Sequence, residues 1–133
     1  MKFLAHIFVF VFLINIGFSQ ENETQSKAKA EIMFDKSIHN FGKIEYGNET
    51  SFLFEFKNVG KKPLVIQKVE TSCGCTIADK PEQPIKPKET AYINVIYEAD
   101  EVGKFQKSIK IYSNAVTSPY IVYIKGVVIK KNN

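Results

Sequence analysis

Ser51-Phe52-Leu53-Phe54-Glu55-Phe56-Lys57 is the stretch that decides the fold. Side chains alternate across a strand, so Phe52, Phe54 and Phe56 share one face while Glu55 and Lys57 mark the other as wet. Asn58-Val59-Gly60-Lys61-Lys62-Pro63 closes this strand with a turn, and Leu64-Val65-Ile66 starts the next. Outward from there the pattern repeats. Ala91, Ile93, Val95 and Tyr97 alternate, as do Phe105, Lys107, Ile109 and Ile111. A last strand spans Tyr120–Ile129, interrupted by Gly126, which marks a bulge or a close backbone approach. No segment sustains the 3.6-residue period of a helix.

Roughly seven short strands with Pro- and Gly-bearing turns bury one face each most simply as two packed antiparallel sheets, an all-β, immunoglobulin-like sandwich. The phenylalanine stripe, with Phe105 and Tyr97, supplies much of the core, each side chain contributing about 1.5–3 kcal/mol on full burial. An aromatic stripe can also line a carbohydrate or nucleic-acid groove, but the wet face set by Glu55 and Lys57 assigns this one to the core.

The N-terminus has a different composition. Met1-Lys2 is a short basic start, residues 3–18 are nearly all apolar, and Gly17-Phe18-Ser19 places small residues before a cut at Gln20. This is the layout of a cleavable secretory signal peptide, and the apolar run falls short of the roughly 20 residues a spanning helix needs. No cysteine lies near the cut to accept a lipid. Residues 20–30 (QENETQSKAKA) hold no large apolar side chain and read as a flexible tether. The organisation is therefore a signal peptide over 1–19, a tether over 20–30 and one sandwich over 31–131, with no stable membrane span once the signal is removed.

Charge is modest: 18 lysines, no arginine and 14 acids give a formal net charge of +4. The lysines are spread singly or in pairs, without the clusters and arginine forks that suit nucleic acid. They read as a solvated surface that also discourages edge-to-edge strand pairing.

Several motifs together resemble the bacterial domain of unknown function 1573 family, grouped with Hydin and major sperm protein-like immunoglobulin-like domains. Phe41-Gly42-Lys43-Ile44 resembles its F-G-x-I opening. Phe54-Glu55-Phe56-Lys57-Asn58-Val59-Gly60 with Pro63-Leu64-Val65-Ile66 resembles its F-x-F-x-N-x-G-x-x-P-L-x-I run. Ser72-Cys73-Gly74-Cys75-Thr76 matches its S-C-G-C-T signature, and Gly103 through Asn114 resembles its G-x-F-x-K-x-I-x-V-x-S-N strand. One position departs: after Pro84-Ile85-Lys86-Pro87 the family usually has glycine and this chain has Lys88. If that turn needs a positive φ, lysine costs about 1 kcal/mol there. The resemblance implies an exported bacterial sandwich, periplasmic or secreted, with no assigned activity.

Cys73 and Cys75 are the only cysteines. Three chemistries fit them. They can pack as small side chains or form a local disulfide that tightens a turn between two strands, as an oxidising compartment favours. In a straight strand their Cα atoms would stand about 6.6 Å apart, so a bridge needs Gly74 to turn the backbone. They can act as a redox dithiol, activated by Lys68 or Lys80 if either lies near, although the usual C-x-x-C spacing is missing. They can also capture a soft metal, copper(I) or zinc. A closed zinc site needs four ligands, and only His39 remains as a further nitrogen or sulfur donor after the signal.

Elsewhere no catalytic constellation stands out. His39, between Ile38 and Asn40, reads as a structural residue beside a Phe41-Gly42 turn, and Asp100-Glu101 as a solvated turn. No Gly-rich phosphate loop, nucleophile elbow or HExxH motif occurs. The expectation is a non-enzymatic, exported sandwich without a cofactor, engaging a protein partner through loops or a strand edge, with Cys73–Cys75 and Lys80–Lys88 as the loops of interest. The alternative is a thiol redox or copper-handling accessory protein using Cys73 and Cys75.

Overall fold

A computed structural model describes residues 28–132. The expected signal peptide over residues 1–19 and residues 20–27 of the expected tether lie outside the described residues. Eight strands form: β1 (Ile32–Phe34), β2 (Ile38–Glu45), β3 (Thr50–Asn58), β4 (Ile66–Thr71), β5 (Thr76–Asp79), β6 (Thr90–Tyr97), β7 (Gly103–Ser113) and β8 (Tyr120–Ile129). They make two four-stranded sheets, ordered β1-β3-β6-β5 and β2-β8-β7-β4.

Two expectations need correction. The second sheet is mixed, because β2 pairs with β8 in parallel. Residues 35–37 carry the chain from the edge of one sheet to the edge of the other without a hairpin reversal. The strand count rises to eight because the four residues after the Cys-Gly-Cys turn form a strand of their own on β6.

The alternation read from sequence decides what is buried. Phe54, Phe56, Ile93, Val95 and Tyr97 of the first sheet meet Ile109, Ile111, Val122, Ile124 and Val128 of the second. Tyr97 and Phe105 stack with ring centroids 4.0 Å apart. Phe52 and Phe105, expected in the core, are half-buried and pack on its margin. Gly126 is a close approach: a Cβ there would stand 2.9 Å from the Gly42 carbonyl and from the Phe105 ring. Phe41-Gly42 is a bulge within β2 rather than a turn, with Gly42 at φ +70°.

One end of the sandwich is tied by Asn58, whose side chain is fully buried. Its Nδ2 donates to the carbonyls of Lys62 (2.7 Å) and Ile85 (2.9 Å), and its Oδ1 accepts from the Gly60 N–H (3.0 Å). Asn114 does similar work nearby, accepting from Val65 N–H (2.8 Å) and donating to the Pro63 carbonyl (3.0 Å). Gly60 lies so close to the N-terminal segment that a Cβ there would collide with the Lys29 carbonyl. Lys29 and Ala30, placed at the end of the tether by composition, belong to the fold: Lys61 N–H donates to Lys29, and Ala30 is buried. The contact is made by main chain and one small side chain, which is why apolar content did not reveal it.

The Lys88 position has the geometry its family alternative implies. Glu89 N–H donates to the Lys86 carbonyl (3.0 Å), Pro87 occupies the second turn position, and Lys88 sits at φ 70° in the third. A turn with Pro second and a left-handed third residue favours glycine there.

Candidate functional site

Ser72–Cys75 carries the chain from β4, at the edge of the second sheet, to β5, at the edge of the first. Cys73 and Cys75 are joined in a disulfide, with an S–S length of 1.99 Å and Cα atoms 5.3 Å apart. That separation is shorter than the about 6.6 Å of a straight strand, so the backbone turns here. Gly74 does not supply the turn through a left-handed φ, and a Cβ there would meet nothing within 4 Å. Main-chain hydrogen bonds hold it instead. The Cys73 carbonyl accepts from Thr71 Oγ1 (3.0 Å) and Thr76 N–H (3.4 Å), and the Cys75 carbonyl accepts from Glu98 N–H (3.0 Å). Ser72 and Ser108 are bound reciprocally: Ser72 N–H donates to the Ser108 carbonyl and Ser108 N–H to Ser72 Oγ, both at 3.0 Å.

Both cysteines are half-buried; Cys75 packs against the core and Cys73 Sγ lies 3.5 Å from the hydroxyl of buried Thr76. As a disulfide the pair presents no thiolate, and it becomes a nucleophile or a soft-metal ligand only after a reductant delivers two electrons and two protons. The two lysines considered as activators are engaged elsewhere: Lys68 pairs with Glu70, and Lys80 with Glu82 at 3.3 Å.

His39 lies on β2, at the opposite edge of its sheet from β4, so the fold does not bring it to the sulfurs. Its ring stacks on Phe52 with centroids 3.7 Å apart and meets Phe41 edge-on at 4.5 Å. Burial, followed by the Lys36 charge, lowers its pKa below the ordinary histidine value. Among the described residues no group of three His, Cys, Asp or Glu side chains is placed to hold a metal ion. Nor is any helix among them long and apolar enough to cross a membrane.

β4 and β5 are the free edges of their sheets, and between them runs a cleft of about 370 Å³. Half-buried Val69 and Ala78 line it together with Gln67, Lys68, Asp79, Lys80 and Glu82. The Lys80–Lys88 segment divides in function. Its first residues border this cleft, while Ile85 is buried and pairs with Leu64 through reciprocal 2.8 Å backbone hydrogen bonds.

Sequence reading missed a second surface. Asn40, Lys104, Gln106 and Lys125 border an open depression of about 600 Å³ on the outer face of the mixed sheet. They come from three strands far apart in the chain, and only the pairing of β2 and β7 on either side of β8 assembles them. Strand alternation alone would have placed Lys104 and Gln106 together, opposite Phe105.

The two packed sheets define the class as an immunoglobulin-like β-sandwich. The chain matches the family described as "Protein of unknown function (DUF1573)" over residues 32–128, and it belongs to that family. No curated protein matches it. Among solved structures it is similar to a protein of unknown function from Porphyromonas gingivalis, at 20% identity and a TM-score of 0.66. That match covers 75% of this chain and 47% of the other, so the chain spans about half the length of that relative. The human CEP192 ASH / PapD-like domain is similar at 7% identity and a TM-score of 0.66, covering 78% of this chain and 89% of that one. The secreted serine protease VesC from Vibrio cholerae is similar at 11% identity and a TM-score of 0.59, over 77% of this chain and 24% of the protease. At these identities the likeness is one of fold.

Proposed function

We propose that this chain is an exported, non-enzymatic binding module of the bacterial cell envelope, and that it engages a protein partner through the open edges of β4 and β5. The observation that carries the reading is the cleft between those edges. Edge strands offer unpaired backbone donors and acceptors to an added strand, and alternate side chains of that strand find pockets on either side. Val69 and Ala78 provide apolar contact within the cleft, and Lys68, Asp79, Lys80 and Glu82 provide a charged rim. The disulfide turn joins the two edge strands at one end and holds them in place, which gives Cys73 and Cys75 a structural role. Signal cleavage at Ser19 and residence in the periplasm or outside the cell belong to the same proposal, supported by the layout of residues 1–19.

Photo-crosslinking from Gln67 and Ala78 in the native cells tests it. The expected result is a discrete protein adduct from both positions, absent from Leu53 on an outer sheet face. Equal labelling from Leu53, or no adduct from the cleft, would overturn the reading. The alternative, a thiol redox or copper-handling role, requires the 73–75 bridge to open. A reversible dithiol couple or stoichiometric copper in the purified protein would support that alternative.

A further inference from the structure

β5 is anchored unlike any other strand. Its inward side chains are Thr76, which is buried, and Ala78, which is half-buried, while Ile77 and Asp79 face solvent. Every other strand turns at least one large apolar side chain inward, as Ile66 does on β4 and Phe41 and Ile44 do on β2. β5 meets β6 over four residues on one side, and its other side is the open edge of the cleft. A strand that buries so little apolar surface belongs to the low-stability end of a structure and depends on what fixes its ends. Beyond Asp79 the chain is fixed by Ile85, buried and paired with Leu64. At the other end it is fixed by the bridged turn, because Cys75 runs directly into Thr76, the first residue of the strand.

Thr76 couples bridge to strand. Its N–H donates to the Cys73 carbonyl (3.4 Å), and its buried hydroxyl lies 3.5 Å from Cys73 Sγ and 4.0 Å from Cys75 Sγ. A change at either sulfur is therefore felt where β5 begins. The bridge is also open to attack. Both cysteines are half-buried, Ser72 and Gly74 are exposed, and a Cβ at Gly74 would meet nothing within 4 Å. Cys75 packs against the core, which leaves Cys73 as the sulfur on the outer side of the turn. The reciprocal Ser72–Ser108 bonds involve neither sulfur, so β4 stays tied to β7 when the bridge opens.

We propose that the Cys73–Cys75 bridge is a redox latch on β5. Closed, it holds the strand on β6 and sets one wall of the cleft; opened, it lets β5 come away and the cleft loses that wall. Opening is thiol–disulfide exchange with a protein dithiol. A thiolate of the dithiol attacks Cys73 Sγ, the Cys73–Cys75 bond breaks, and Cys75 leaves as a thiolate that takes up a proton. The donor's second thiolate then attacks its sulfur in the mixed disulfide and releases Cys73, which is protonated in turn. The donor ends as a disulfide and this chain holds two thiols. The latch regulates the cleft and passes no electrons to a further substrate, which separates it from the thiol-redox alternative. It rests on the edge-strand reading only for its consequence, capture or release of the partner.

Hydrogen exchange read by mass spectrometry tests the latch on the chain produced from its full coding sequence. The protein is compared with the bridge intact, reduced by dithiothreitol and re-oxidised, and as the C73S/C75S variant. Exchange across residues 76–79 should quicken by about tenfold on reduction, the worth of closing so small a loop, and by a similar factor in the variant. Peptides from β7 and β8 should be unchanged, and re-oxidation should restore protection. Unchanged exchange over 76–79, equal acceleration in β7 and β8, or a bridge that dithiothreitol does not open in the folded protein would overturn the latch. In cells, the crosslinked adducts from Gln67 and Ala78 should be weaker in C73S/C75S than in the parent, and undiminished adducts would also overturn it. Adducts missing from the parent as well, with β5 released on reduction, would support the latch and fail the edge-strand reading alone.

Discussion

Asn58→Asp tests the tie at the end of the sandwich, because it changes one group of a fully buried side chain and keeps its shape. The native amide donates to the Lys62 and Ile85 carbonyls at 2.7 and 2.9 Å and accepts from Gly60 N–H at 3.0 Å. A carboxylate keeps the acceptor, leaves two carbonyls without donors and sets a negative charge against them. Each orphaned buried group costs about 1–3 kcal/mol, and the unpaired charge adds to it, so the loss at pH 7 should be about 3–5 kcal/mol. The pH dependence follows from the sign. Burial and the facing carbonyls raise the folded-state pKa of the new carboxyl above its unfolded value of about 3.9. Between those two pKa values the folded state binds the extra proton, so stability falls as pH rises. Below about pH 3.9 the charge penalty is absent, and the protonated form can donate to one of the two carbonyls. Urea unfolding followed by circular dichroism, variant against parent at pH 4 and pH 7, measures this directly. With a slope of about 1–3 kcal/mol per molar urea, a 3 kcal/mol loss moves the midpoint down by about 1–3 M. A loss below about 1 kcal/mol at pH 7, or an equal loss at both pH values, would refute the reasoning.

Lys88→Gly should stabilise the protein by about 0.5–1 kcal/mol, the left-handed penalty of about 1–2 kcal/mol less the greater chain entropy of glycine. A thermal melt should move up by about 2–6 °C, and no rise would mean that the turn is unstrained. His39 has a folded-state pKa below the ordinary histidine value of about 6.5. The unfolded chain therefore takes up the proton first, and stability present above that pH is lost as pH falls from 6.5 through the folded value. His39→Phe should flatten the stability difference between pH 7.5 and pH 5, and an unchanged slope would assign it to other groups. Replacing both cysteines by serine should cost no more than about 2 kcal/mol, since so short a loop constrains the unfolded chain weakly. Retention of the far-UV spectrum is expected, and global unfolding would show that the bridge holds more than its own turn.

The strands were legible where burial on one face forces alternation. Phe54, Phe56, Ile93, Val95, Ile109 and Ile111 are all fully buried, as the period of two requires. The parallel pairing of β2 with β8 was not legible, because alternation fixes which way side chains face and says nothing of a strand's neighbour. The same limit hid the lysine surface: Lys43, Lys104 and Lys125 each look like an ordinary solvated residue until register places them in adjacent rows. The Lys88 turn was legible as a conditional, and its φ of 70° supplies the condition. At Cys73-Gly74-Cys75 the spacing left three chemistries open. The turn is held by Thr71, Thr76, Glu98 and Ser108, whose approach depends on how the β4–β5 crossing meets β6 and β7.

The family motif specifies the fold for a reason that its residues make plain. Asn58, Gly60 and Asn114 are engaged with main chain, Leu64, Ile66 and Ile109 fill the core, and Phe105 packs at its margin. A match at these positions reports a scaffold. Outward-facing residues occupy its unspecified positions: Lys43 is the x of F-G-x-I, and Lys104 and Gln106 are the two x positions of G-x-F-x-K. Period-two alternation makes this division unavoidable, because a motif that specifies the inward face leaves the outward face undefined. Two chains with the same motif can then share a core and differ in what their sheet faces bind. The surfaces that scaffold requirements leave free are therefore the outward rows of β2, β7 and β8 and the β4–β5 cleft, and the proposed partner is to be sought at the cleft.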